Sequence, residues 1–124
     1  MMMESDSNLI PEVLGYWFSE AVSKQWFAST PALDAEIKQR FESLWADAAE
    51  HKLDSWLASA DGCLALCIVL DQLPLNMFRG NSKSFATEQQ AVVVTKYAIG
   101  EELDSEISDD KVSFLYMPLM HSEI

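Results

Sequence analysis

The sequence predicts an all-α domain of five to seven helices stacked as antiparallel pairs. Three observations lead there. Every long apolar segment repeats at three and four residues, and none alternates in the manner of a half-buried strand. Glycine and proline number only four each in 124 residues, too few for a turn-rich β-sandwich. Helix-start signals, Thr30-Pro31 and Thr87-Glu88, fall just ahead of periodic segments.

Composition narrows the class further. Four Trp, six Phe and an apolar fraction of 49% supply one modest core and exclude disorder over most of the chain. Twenty acids against eight bases give a net charge of −12. Such a surface repels phosphate, which argues against nucleic acid and anionic lipid as partners. The N-terminus, MMMESDSNL, has neither a basic nor an apolar leader region, and the longest unbroken apolar run, Cys63 to Leu70, is eight residues. Spanning a bilayer takes about 20. The expectation is a cytoplasmic protein with no membrane contact.

Residues 1–8 read as a disordered tail, and 9–124 as a single helical domain. A first helix starts near Pro11, with Val13 over Trp17 and Leu14 over Phe18 at the i,i+4 spacing. Trp26 and Phe27 sit in the following connection and are expected to tuck against the core. The second helix opens at the Thr30 cap and buries Leu33, Ile37, Phe41, Leu44, Trp45 and Ala48; Asp34, Glu36, Lys38, Glu42 and Asp47 fill a solvated face. A short helix from Leu53 to Ala60 carries Trp56 and Leu57. After Asp61-Gly62, the central helix is apolar on nearly all sides from Leu64 to Leu73, and Pro74 ends it. Cys63 and Cys67 lie one turn apart there. Their side chains are too far apart for a disulfide, and no second Cys or His pair completes a metal site, so they read as reduced, buried, small apolar residues. Thr87-Glu88 starts another helix that carries Ala91, Val92, Val94, Thr95 and Ala98 and stops at Gly100. An acidic connection, 101–110, leads to a last short helix ending at Pro118, and Ser122-Glu123 has the look of a further helix start.

The residues that carry chemistry cluster around LDQLPLNMFRG. Asp71 interrupts the apolar helix near its C-terminus, where the helix dipole disfavours a carboxylate and a cationic or donor partner is needed. Arg79, one of two arginines, returns toward it after the proline, and Arg40 is the other option. In the structural reading Arg79 and Asp71 lock the loop to the helix end, with Gln72 and Asn76 bonding loose backbone groups. In the functional reading they line an anion or substrate pocket. His121, with Tyr116, Ser122 and Glu123, forms a second group suited to proton transfer. No glycine-rich phosphate loop, nucleophile elbow or metal-spaced histidine set is present, so no metal and no cofactor is expected.

These motifs, VLGYWF, Trp26-Phe27, LDQLPLNMFRG, SFATE and FLYMPLMHSE, resemble a bacterial family catalogued as domain of unknown function 924, from Val13 to Glu123. The resemblance implies a tetratricopeptide-repeat-like fold. It carries the family pattern onto Asp71, Gln72, Pro74, Asn76, Phe78, Arg79 and Gly80, and onto Tyr116, Pro118, His121, Ser122 and Glu123. Leu75 stands where the family usually has arginine, and Glu88 where it has aspartate. Family members continue into further C-terminal helices, so this chain is expected to lack them. An apolar patch is then expected at Phe114, Leu115, Met117, Leu119 and Met120, a potential self-association surface.

Two functions follow as expectations. The first is a protein- or peptide-binding helical module. The second is a small-molecule enzyme or binder with a pocket around Asp71, Arg79 and His121, to which Gln72, Asn76, Tyr116 and Glu123 contribute.

Overall fold

Ala60 to Met77 forms the axis on which the other helices pack. In the computed structural model, which describes residues 8–122, this rod comprises α4 (Ala60–Cys67), a π-helical turn (Ile68–Gln72) and α5 (Leu73–Met77). Before it come α1 (Leu9–Trp17), α2 (Glu20–Ser23), α3 (Pro31–Ala49) and a 3-10 turn, Asp54–Ala58. After it come a 3-10 turn at Ser82–Phe85, α6 (Glu88–Gly100), another at Leu103–Glu106, and α7 (Asp109–Ser122). The protein is all-α, with no strand among the described residues. Residues 1–7, most of the expected tail, lie outside them.

The core follows from the periodicity. All six predicted apolar residues of α3 are buried, and Thr30 caps it by accepting from the Leu33 amide. α3 packs on α5 and the π turn; α4 meets α1, α6 and α7; and α6 lies along α7. The Ala60–Met77 rod has the length and composition of a membrane span, yet 78% of it is buried inside the fold, as a core helix would be. Ser59 caps α4 by accepting from the Gly62 amide. Position 62 must be glycine, because a Cβ there would lie 1.9 Å from the Trp56 carbonyl oxygen.

Several expectations are corrected. The Leu53–Ala60 helix is a 3-10 turn, with Trp56 buried as expected. Trp26 stacks on Trp17 and packs edge-on against Phe114, but Phe27 is 85% exposed. Phe114 and Leu115 do not belong to an exposed apolar patch. Trp17, Phe18 and Trp26 surround the Phe114 ring, Leu115 is fully buried, Met117 and Leu119 are half-buried, and only Met120 of the five is well exposed. Neither proline ends its helix. Pro74 lies in the first turn of α5, and Pro118 lies inside α7, which runs on through His121 to Ser122 instead of restarting there.

Candidate functional site

Pro74 shapes the site through the bond it cannot make. In a regular α-helix the Leu70 carbonyl would accept from residue 74, but proline has no N–H and its ring crowds that carbonyl. The helix responds with the π turn, a wider coil often found where helices carry function. The Thr87 hydroxyl supplies the missing donor, 2.7 Å from the Leu70 oxygen, and accepts in turn from the Trp45 indole at 3.1 Å. Thr87 therefore does not cap α6, although it stands at the N-cap position. It ties the start of α6 to the π turn and so fixes Glu88, the first residue of α6, beside Asp71.

Asp71 lies in the π turn and is buried, its side chain 2% exposed. Its Oδ1 is 3.2 Å from Nδ1 of His121, 50 residues away in the last turn of α7. Gln72 Nε2 donates to the other carboxylate oxygen at 2.8 Å and reaches the Met117 sulfur at 3.6 Å. His121 is one-third exposed, so its ring connects the buried acid to solvent. Potential ligand atoms of Asp71, Glu88 and His121 all lie within 4.8 Å of one another. The three residues, with Leu70, Leu75, Ser84 and Phe85, line a pocket of about 300 Å³. Ser84 is held by donating to the Asn81 carbonyl at 2.8 Å.

The predicted Asp71–Arg79 pair does not form. Arg79 Nε donates to Asp34 Oδ2 at 2.7 Å and its Nη2 to Oδ1 at 3.2 Å, a two-point clamp onto α3. Asn76 donates to Asp34 Oδ1 at 2.9 Å and to Ser29 Oγ at 3.1 Å, so it bonds side chains rather than loose backbone. Arg40, the other proposed partner, pairs with Glu12 at 3.5 Å and lies over the Tyr16 ring. Partial burial alone would raise the Asp34 carboxyl. Hydrogen bonds from Arg79, Ser29 and Asn76, with the charge of Arg79, outweigh this and hold it below the ordinary carboxylate value. Arg79 and Asn76 thus belong to a clamp between α5 and α3, and neither lines the Asp71 pocket.

Tyr116 is also drawn elsewhere. Its hydroxyl donates to Asp104 Oδ2 at 2.7 Å, and that bond, with some burial, raises the phenol above its ordinary value. Glu123 and the Ser122 side chain lie outside the described residues. Of the predicted site residues, the structure brings together Asp71, Gln72 and His121.

Glu88 and Asp34 were missed. Glu88 reads in the sequence as a helix start and as a departure from the family's aspartate, and Asp34 as part of a solvated face. The signal that could have found Glu88 is the orphaned Leu70 carbonyl, which calls for a hydroxyl donor such as Thr87. Asp34 gave no such signal.

Among solved structures, the chain is similar to the protein of unknown function ATU0120 from Agrobacterium tumefaciens, with 34% identity and a TM-score of 0.89. The similarity covers 95% of this chain and 66% of that one, so this chain spans just under two thirds of its length. Comparison with curated proteins gave no significant match. Residues 13–124 match the family described as bacterial protein of unknown function, DUF924, and the chain belongs to that family.

Proposed function

We propose that this protein binds a small polar molecule in the Asp71–His121 pocket and transfers a proton to or from it. The carrying observation is the 3.2 Å approach of His121 Nδ1 to the buried Asp71 carboxylate at the wall of an open pocket. A carboxylate oxygen accepts, so Nδ1 donates and Nε2 is left as the basic atom. Asp71, held by Gln72, fixes the ring, while His121 is exposed enough to meet a ligand. An imidazole held in this way, with one ring nitrogen fixed and the other free, is suited to general acid–base work. Leu70, Leu75 and Phe85 supply the apolar wall that positions a ligand.

The scaffold under this reading is a stack of antiparallel helix pairs of the tetratricopeptide kind, supported by the packing of α3 on α5 and α6 on α7. That scaffold also suits a protein- or peptide-binding module. The pocket favours the small-molecule reading because its polar groups converge on one concave spot.

The test is a thermal-shift metabolite screen run in chelator on wild type, His121→Ala and Arg79→Ala. Ligands that stabilise wild type and Arg79→Ala but not His121→Ala are expected. Hits indifferent to His121, or no hit at all, would overturn the reading. A protein partner whose binding survives His121→Ala would instead support the peptide-binding module.

A further inference from the structure

The structure assigns a divalent-cation site to Asp71, Glu88 and His121, which reverses the expectation of no metal. The inference rests on the same pocket as the proposed function. Three separate elements deliver the donors: the π turn, the first residue of α6 and the last turn of α7. Their ligand atoms lie within 4.8 Å of one another, and the Asp71–His121 pair is already at 3.2 Å, where a bound cation would displace the Nδ1 proton to solvent. Bonds of about 2.1 Å in a tetrahedral site place neighbouring ligand atoms about 3.4 Å apart. The half-buried Glu88 side chain has to close the remaining distance.

Charge points the same way. Two carboxylates, one of them almost wholly buried, meet here, and among the described residues neither pairs with a lysine or arginine. Arg79 is committed to Asp34, and Arg40 to Glu12. Two carboxylates without a lysine or arginine partner are an expensive arrangement in a partly buried site. A dication cancels both.

The donor set selects the ion class. Calcium takes six to eight oxygen ligands and has little use for an imidazole, whereas one nitrogen with two carboxylate oxygens suits the zinc–manganese class. Three protein ligands leave positions open toward the pocket, as in catalytic rather than structural sites. Gln72 supplies the outer support, holding Asp71 Oδ2 so that Oδ1 faces the imidazole.

The experiment is calorimetric titration of the chelator-stripped chain with zinc and, separately, manganese, with calcium as the control. One saturable site per chain is expected for zinc or manganese. Glu88→Gln and His121→Gln should each weaken it at least tenfold with unchanged circular dichroism, and Gln72→Leu should weaken it roughly tenfold. Arg79→Ala should bind as wild type. Absence of saturable binding at millimolar metal would overturn the inference. So would equal affinity in wild type, Glu88→Gln and His121→Gln, which would mark binding to scattered surface acids, or calcium binding as tightly as zinc. A His121-dependent small ligand found in chelator, together with no saturable metal binding in the titration, overturns the cation site alone. A His121-dependent metal site with no small-molecule ligand supports the cation and overturns only the proton-transfer reading.

Discussion

The Thr87 hydroxyl and the Leu70 carbonyl, 17 residues apart, form a buried hydrogen bond of 2.7 Å that replaces the one Pro74 cannot make. Removing the hydroxyl strands two groups at once, the Leu70 oxygen and the Trp45 indole N–H. Thr87→Val keeps the shape and loses both bonds, so it should destabilise the fold by about 1–3 kcal/mol. Thr87→Ser keeps the donor and should cost less. Urea unfolding of the two variants checks the order; equal losses would show that the methyl group, not the hydroxyl, matters at this position.

Gly62 and Gly15 make a matched pair. Alanine at 62 drives its Cβ to 1.9 Å from the Trp56 carbonyl, a backbone atom that cannot swing away. Overpacking of this kind costs about 1–3 kcal/mol or more, and Gly62→Ala should lower the unfolding midpoint accordingly. Gly15 is inside α1 with open space around a Cβ. Gly15→Ala should therefore raise stability by about 0.5–1 kcal/mol. Thermal unfolding of both variants reads the opposite signs.

The clamp between Arg79 and Asp34 sets an acid-side signature. The Asp34 carboxyl is depressed in the fold from its ordinary 3.8, so its contribution is fully present above that value and is lost as pH falls through the lower folded value. Arg79 is more than half exposed, and solvent screening limits the clamp to about 1 kcal/mol or less. The difference in midpoint between wild type and Arg79→Ala should stay constant from neutrality down to about pH 4 and then close. A gap that persists into stronger acid would place the contribution of Arg79 elsewhere.

Both thiols should be silent in the folded protein. Burial pushes Cys63 up to about 11 and Cys67 to about 12. Cys67 is held further between α6 and α7, its sulfur 3.4 Å from Thr95 Oγ1, which donates to the Leu115 carbonyl at 2.7 Å. Iodoacetamide at mildly alkaline pH should label neither residue without urea and both with it, as mass spectrometry would show. Rapid native labelling of Cys67 would mean that the packing of α7 on the core is looser than described.

Helix identity was legible because it follows from local repetition. The six buried residues of α3 could be read directly from their spacing, and so could its Thr30 cap. The site was half legible. Asp71 and His121 stand out one at a time as a misplaced acid and a histidine near a helix end, but nothing local says that 50 intervening residues bring them together. Arg79 misled for the same reason. Sequence proximity favoured Asp71, whereas the fold places it against Asp34, 45 residues earlier. Proline misled in a third way, since both Pro74 and Pro118 read as stops yet are carried within longer helical runs, one beside a π turn and one inside α7.

That π turn makes the rod sensitive to residue count rather than residue type. One extra residue in a coil of 3.6 per turn shifts the angular phase of all that follows by about 100°. Leu73 and Met77 face the core, and Asn76 and Arg79 reach α3, only in the shifted phase. Any conservative substitution between Ile68 and Gln72 leaves the phase intact. Deleting a single residue there would turn the apolar side of α5 to water and its clamp away from Asp34, and Pro74 would still leave one rung of the ladder without a donor. Length in this five-residue stretch is therefore under stricter physical constraint than composition.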